Sequence, residues 1–272
     1  MQIRTGNLAR PEEVYQLAGK LLDKFGSRLK ESDLWNARED YAIACIQLGK
    51  RDEALSIVNK VAAEFPASCR ALRLKGMYLE SIGKQQEASM TYEAGLQKID
   101  PQSIMMIHRK IALKKGQGDV EGALDLLHKH LDVQLGDWQA WYEAGKLHAK
   151  RGAYAEATFC LEEVLMYQPA DIATQLLLAD CLYASGTQEQ IQIAKNYYAS
   201  VVELTNGSNI KSLFGICLCT ARLNHMKCKE NNEELSNLAA ETLLREYALK
   251  APDVVKSVKQ VIDSLSLSRN SK

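Results

Sequence analysis

Net charge is the first thing this sequence lacks. Its 34 lysines and arginines are matched by 34 aspartates and glutamates, so no overall field recruits a polyanion, and a dedicated nucleic-acid binder is disfavoured. Aromatic residues make up only 7% of the chain, a poor supply for the stacking platforms that single-strand binders use. No run approaches the roughly 18 apolar residues of a spanning helix. The opening MQIRTGNLARPEE has no apolar core of the kind a secretory signal needs. The expectation is a soluble chain whose membrane contact, if any, is peripheral and made through partners. Seven cysteines stand at positions 45, 69, 160, 181, 217, 219 and 228, and none forms a C-x-x-C pair, so the spacing of a zinc or dithiol site is missing. They read as reduced, mostly buried small hydrophobes of a cytosolic or nuclear chain.

Chemistry-bearing motifs are equally scarce. No nucleophile elbow, phosphate loop or deaminase-like pattern occurs. His128 and His130 are two apart, and alternate residues of a helix point about 200° away from each other, so the two cannot share a metal; they are expected on solvent-facing helix ends. Cys217 and Cys219 meet the same obstacle and are read as core. Glu162 and Glu163 are read as a solvated helix face, and Asn206-Gly207-Ser208 as a turn. We therefore expect a non-enzyme with no catalytic residues, no cofactor and no metal.

What is present is a period. Gly49, Gly83, Gly118, Gly152 and Gly186 follow one another at intervals of 34, 35, 34 and 34, and Ala54, Ala88, Ala123 and Ala157 each come five residues after a glycine. Pro66, Pro101 and Pro169 lie 12 or 13 residues beyond an alanine, with Leu135-Gly136-Asp137 in place of a proline in the third unit. Each unit reads as a helical hairpin. The glycine ends a first helix in a left-handed conformation, the alanine lets the second helix approach closely, and the proline ends it. A second column of small residues, Ala42, Gly76, Gly145, Ala179 and Gly215, marks the first helices, and Ile111 interrupts it.

This 34-residue pattern resembles the tetratricopeptide repeat, best over residues 138 to 169 with Trp141, Gly145, Gly152, Tyr154, Ala157 and Pro169 in order. The expected fold is all-α, a right-handed superhelical solenoid of such repeats with terminal capping helices. Residues 1–32 would form an N-terminal capping helix or incomplete repeat, 33–205 five hairpins, and 206–272 a degenerate sixth hairpin with a C-terminal capping helix. The leading helix should bury Val14, Leu17, Leu21, Leu22 and Phe25, and the first full repeat should have helices over about 33–48 and 51–65. The interval from Gly186 to Ala194 is eight, which predicts a turn longer by about one helical turn. NHMKCKENNEEL reads as a polar loop, 233–250 as a helix, and the stretch after Pro252 as a last helix with Val254, Val258, Val261, Ile262 and Leu265 on one stripe. The tail SLSRNSK is expected to fray. Leu218, Leu235 and Leu238 are expected at the surface, covered only within an assembly.

In such a superhelix the first helices line the concave face, which makes their outward residues the default partner-binding positions. These are Arg70, Arg73, Met77, His108, Arg109, Lys110, Lys114, Lys115, Tyr142 and Lys146. HRKIALKKGQG is the most basic segment. It suits an acidic protein tail or lipid head groups, or else a solvated helix balanced by nearby acids. Some repeats of this family clamp a chaperone's terminal carboxylate with lysines and asparagines. Here the corresponding positions carry Glu39, Ile43, Arg73, Met77 and Arg109, which disfavours that role.

The stretches RKIALKKGQGD, GDWQAWYEAGKLHAKRGAYAEATFCLEEVLMYQP, SGTQEQIQIAKNYYASVVEL and SLFGICL, within residues 105 to 218, resemble a narrower family, the second subunits of the endoplasmic reticulum membrane protein complex. The resemblance implies a non-enzymatic scaffold on the cytosolic face of that membrane. It would lack a span of its own and cradle cytosolic segments of membrane-embedded subunits and a globular cytosolic subunit, while the complex inserts transmembrane segments, tail anchors included. The competing readings are a free cytosolic adaptor that binds peptide segments and, more remotely, an RNA-processing scaffold.

Overall fold

A computed structural model describes residues 10–226 and 233–267. Among the described residues there are 14 α-helices and no strand. In chain order they are α1 (Pro11–Phe25), α2 (Glu31–Gln47), α3 (Arg51–Glu64), α4 (Cys69–Ser81), α5 (Gln85–Lys98), α6 (Ile104–Gly116) and α7 (Val120–Leu131), followed by α8 (Trp138–Lys150), α9 (Tyr154–Tyr167), α10 (Ile172–Ser185), α11 (Gln188–Leu204), α12 (Ile210–His225), α13 (Glu233–Lys250) and α14 (Val255–Leu267). The chain forms two compact units divided between Leu126 and Leu127, within α7.

The glycine ladder does what its period requires. Gly49, Gly83, Gly118 and Gly152 all have φ between +72° and +81°. After each, the next backbone N–H donates to the carbonyl five residues back, as Lys84 does to Leu79 at 2.9 Å and Ala153 to His148 at 3.0 Å. This closes the first helix and satisfies carbonyls that would otherwise be orphaned. Ala54, Ala88, Ala123, Ala157 and Ala194 are wholly buried, the first four one turn into the second helix of their hairpins and Ala194 about two turns into its own.

In the first unit α2 packs on α3 and α4, and α4 on α5 and α6, around Ala42, Val58 and Leu74 and then Leu79, Tyr92 and Met106. Gly76 brings α4 and α5 together: a Cβ there would sit 2.2 Å from the Tyr92 ring. In the second unit α8 pairs with α9, α10 with α11 and α12 with α13, while α14 lies on α12 and α13. One core runs through it, including Leu161, Leu178, Ile191, Leu213, Ile216, Leu223 and Leu243.

Three expectations need correction. The extra residues after Gly186 lengthen a helix instead of a turn. Thr187 caps α11 directly, its hydroxyl accepting from the Gln190 N–H at 3.2 Å, so α11 has 17 residues where α3, α5 and α9 have 14. The leading helix turns a different face inward. Ala18 is its buried residue and Gly19 admits the Tyr41 ring, whereas Leu17, Leu21 and Phe25 are exposed. Tyr15 stacks on Tyr41 at 5.1 Å, and both phenols donate to Glu53, so small residues and an aromatic pair fix α1 where the leucine stripe was expected to. In the last helix Val258, Ile262 and Leu265 pack on the core, but Val261 is exposed and Val254 belongs to a short 3-10 turn. Leu238 is exposed, Leu218 is half-buried and Leu235 is packed. Expectations for residues 1–9, for Cys228 and the loop around it, and for the tail from 268 lie outside the described residues.

Gly76→Ala should destabilise the protein by about 1–3 kcal/mol, the usual cost of overpacking. Gly116→Ala, at a helical position with nothing within 4 Å, should be neutral or stabilising by up to about 1 kcal/mol. Urea unfolding of the two variants checks this, and equal midpoints would refute the close approach.

Candidate interaction surface

The first-helix residues singled out above stand on three helices: Arg70, Arg73 and Met77 on α4, His108, Arg109, Lys110, Lys114 and Lys115 on α6, Tyr142 and Lys146 on α8. Their charges are largely answered within the chain. Glu39 of α2 is buried, at 6% exposure, and accepts from Arg73 at 2.5 Å and from both Nε and Nη2 of Arg70, whose Nη2 also donates to the Asn36 side-chain Oδ1 at 2.8 Å. Arg109 donates to Glu80 at 2.6 Å and to the Tyr92 hydroxyl at 3.4 Å, and that hydroxyl itself donates to Glu80. Lys110 meets Glu93 at 3.2 Å and Lys114 meets Asp119 at 2.7 Å. Lys146 lies against Glu143 at 3.4 Å and 5.3 Å from the centre of the Tyr142 ring. His108, Lys115, Met77 and Tyr142 are half-buried.

A device repeats here that the sequence reading missed. An acid on one first helix faces a base on the next: Glu39 with Arg70 and Arg73, Glu80 with Arg109, and in the second unit Asp180 with Lys211. In two of the three a buried tyrosine of the intervening second helix adds a hydroxyl, Tyr92 to Glu80 and Tyr198 to Asp180. The signal was available: the pairs are separated by roughly one period, 34 residues for Glu39 and Arg73 and 31 for Asp180 and Lys211. Burial first, and the accepting carboxylate second, push both phenols far above the ordinary tyrosine range, so they remain protonated donors.

Several buried thiols are held protonated as well. Burial pushes the Cys160 and Cys181 thiols up to about 11 and Cys219 up to about 12; a thiol held there is not a thiolate nucleophile at neutral pH. His130, expected at the surface, is buried with Nε2 2.7 Å from the Asp137 carboxylate. That carboxylate also caps α8 by accepting from the Ala140 N–H. His128 is exposed and faces His148, their Nε2 atoms 3.4 Å apart. The two histidines of the His-Lys-His run thus point to different partners, as their spacing requires. Glu162 is exposed and Glu163 half-buried.

The first unit holds a further feature not read from the sequence, a cavity of about 430 Å³ where the starts of α2 and α4 meet the end of α3. Trp35 and Phe65 wall it edge to face, with ring centroids 5.0 Å apart, and Val61 and Ala71 close its inner side. Arg70, Asn36 and Glu39 supply its polar side.

Stacked helical hairpins with a glycine-terminated first helix and an alanine-lined second are the fold of a tetratricopeptide-repeat protein. The C-terminal part of a TPR repeat-containing protein from Cytophaga hutchinsonii has the same fold, with a TM-score of 0.64 and 17% identity over 91% of this chain and 94% of that one. The chain belongs to the family described as the EMC2 TPR-like repeat domain, whose pattern matches residues 56–203. It is 27% identical to ER membrane protein complex subunit 2-A of Xenopus laevis over 98% of this chain and 93% of that protein. It is 26% identical to ER membrane protein complex subunit 2 of Dictyostelium discoideum, over 97% and 86% respectively.

Two outcomes follow from the buried thiols. In the native protein at pH 8, a thiol-disulfide reagent should label half-buried Cys69 first among the cysteines of the described residues and reach Cys160, Cys181 and Cys219 only on unfolding; mass spectrometry of the labelled peptides reads this. Because the folded thiols titrate near 11–12 and unfolded ones near about 8.5, the unfolded state releases protons first as pH rises. Stability contributed by these groups is intact below about pH 8 and is lost progressively up to about pH 12, visible as a falling urea midpoint.

Proposed function

We propose that this chain is the tetratricopeptide-repeat scaffold subunit of an ER membrane protein complex. It is non-enzymatic and sits at the cytosolic face of the membrane, where it holds together the cytosolic segments of membrane-embedded subunits and a globular cytosolic subunit. It thereby supports insertion of transmembrane segments, tail anchors included. The observation that carries this reading is the match to the family over residues 56–203, joined to near full-length similarity to relatives named as subunits of that complex. No helix among the described residues is long and apolar enough to cross a membrane, which supports attachment through partners. Thiols and phenols held in their protonated forms support a structural role over a catalytic one.

Within this reading the first-helix residues divide by what they already do. Arg73, Arg109, Lys110 and Lys114 are committed to Glu39, Glu80, Glu93 and Asp119 and shape the surface, with His108 and Lys115 half-buried beside them on α6. Arg70 and Lys146 are paired too, with Glu39 and Glu143, but stay about half exposed, and together with Met77 and Tyr142 they are the positions assigned to partner contact.

Affinity purification of the tagged chain from cells in mild detergent tests the assignment. A stoichiometric set of multi-span ER membrane proteins should accompany it, and depleting the chain should lower insertion of a tail-anchored reporter into microsomes. Recovery with soluble proteins alone would replace this reading with that of a free adaptor.

A further inference from the structure

Helix α9 buries Ala157, Cys160, Leu161 and Val164 and turns its opposite side to solvent. On that side Phe159 is 57% exposed and Met166 80% exposed. They stand seven residues apart, about two turns, and so line up along the helix. Glu162 lies on one flank of this line, Glu156 and Glu163 on the other. The helix carries these three acids and no lysine, arginine or histidine. None of the three forms an ion pair or side-chain hydrogen bond among the described residues, and Lys150 and Arg151, the nearest bases in sequence, precede the helix without pairing with them. Glu156 suits the positive end of the helix dipole, in the first turn, but Glu162 and Glu163 fall in the second half, where the dipole gives them no support. Their charge reaches the neighbours. Burial first, and then Glu162, hold the Tyr197 phenol of α11 above the ordinary tyrosine range, and Glu156 and Glu163 add to burial in raising the Cys160 thiol. The next second helix repeats the pattern: on α11 Ile193 and Leu204 are exposed, Glu189 and Glu203 have no ion pair among the described residues, and the one base, Lys195, is buried. A merely solvated face has no need of large apolar side chains, and single ones are ordinary, but here they are set in line between unpaired carboxylates.

We propose that the outward face of α9 docks an amphipathic helix of another protein, one with leucine-like side chains along a stripe and lysine or arginine on both sides of it. The stripe packs against Phe159 and Met166, ridge into groove, as helices pack on helices. The flanking cations meet Glu162 on one side and Glu156 and Glu163 on the other. Charge excludes the other occupants of an apolar helix face. An anionic membrane surface is repelled by the three carboxylates, and α9 of a second copy would bring three more against them. This surface lies on second helices, whereas the partner positions assigned above lie on first helices, so it goes beyond the scaffold reading. It rests on that reading only for the source of the docked helix, since cytosolic flanks of membrane spans carry an excess of lysine and arginine. Binding is measured on the purified full chain with synthetic peptides, so its failure would leave the co-purification result standing.

The probe is a fluorescein-labelled helical peptide with leucines spaced three and four apart and lysines on both flanks of that stripe, followed by fluorescence anisotropy at low salt. Saturable binding with a Kd of about 1–100 μM is expected. A peptide of the same composition with the stripe scrambled, and one with glutamates in place of the lysines, should each bind at least tenfold more weakly. Glu162→Lys combined with Glu163→Lys should keep the melting temperature, because neither side chain is paired, and weaken the peptide at least fivefold. Met166→Ser should weaken it at least threefold, also without loss of melting temperature. Glu64→Lys combined with Glu87→Lys makes the same change of net charge at exposed positions of the first unit and should leave binding unchanged. The proposal is overturned by absence of saturable binding up to about 1 mM, by equal binding of the scrambled or the glutamate peptide, by α9 variants that bind as well as the parent, or by a first-unit pair that weakens binding as much. Sedimentation with phosphatidylserine vesicles, or dimerisation in solution, that is lost in Met166→Ser would also overturn it, since the face would then belong to a membrane or to a second copy.

Discussion

Every hairpin here depends on two helices approaching more closely than leucine-sized side chains would allow. The residues at the contact are alanines with no exposure at all, Ala54, Ala88, Ala157 and Ala194, and glycines such as Gly76, where any side chain would strike the Tyr92 ring. Close approach buries backbone as well as side chains and maximises dispersion contact per residue. It also leaves each hairpin with one apolar face still open, because two helices alone cannot enclose a core. The next hairpin covers that face, and the result is a chain of local contacts repeated along each unit.

Hydrophobic stacking alone would leave the first helices free to slide, since apolar contact is non-directional. The acid-to-base pairs between successive first helices are directional, and they recur in both units: Glu39 with Arg70 and Arg73, Glu80 with Arg109, Asp180 with Lys211. Two of the carboxylates, Glu80 and Asp180, also accept from buried tyrosine hydroxyls, and the pairs contribute more to register than to stability, because desolvation at the buried Glu39 and solvent screening at the exposed Lys211 offset much of the Coulomb gain. This accounts for a chain rich in charged residues that nonetheless carries little free charge on α6, the most basic stretch of its sequence.

The fold was legible because its signals were local. A glycine that must take positive φ and an alanine that must vanish from the surface each leave a mark at one position, and the period made those marks mutually reinforcing. What escaped was either a matter of degree or of three-dimensional coincidence. The interval after Gly186 showed that residues had been added but not where; the Thr187 cap placed them in α11. The stripe Leu17, Leu21 and Phe25 looked like a buried face because periodicity ranks hydrophobicity, whereas Ala18 and Gly19 won on closeness. His130 looked exposed because nothing nearby in sequence announced that Asp137, across a turn, would be its partner. The cavity was invisible because Trp35, Phe65 and Arg70 come from three helices and belong to no motif.

The internal pairing also constrains how partners can be recognised. Lysines and arginines already facing carboxylates cannot project a long-range field, and the chain as a whole has none, with 34 charges of each sign. Electrostatic steering, which raises encounter rates only where unbalanced charge faces the solvent, is therefore confined to local faces such as the outward side of α9. Selectivity comes at short range, from shaped apolar surfaces and from the few charged and hydrogen-bonding groups left without a partner, and such contacts act mainly on how slowly a complex comes apart. That is the kinetic behaviour a permanent scaffold needs.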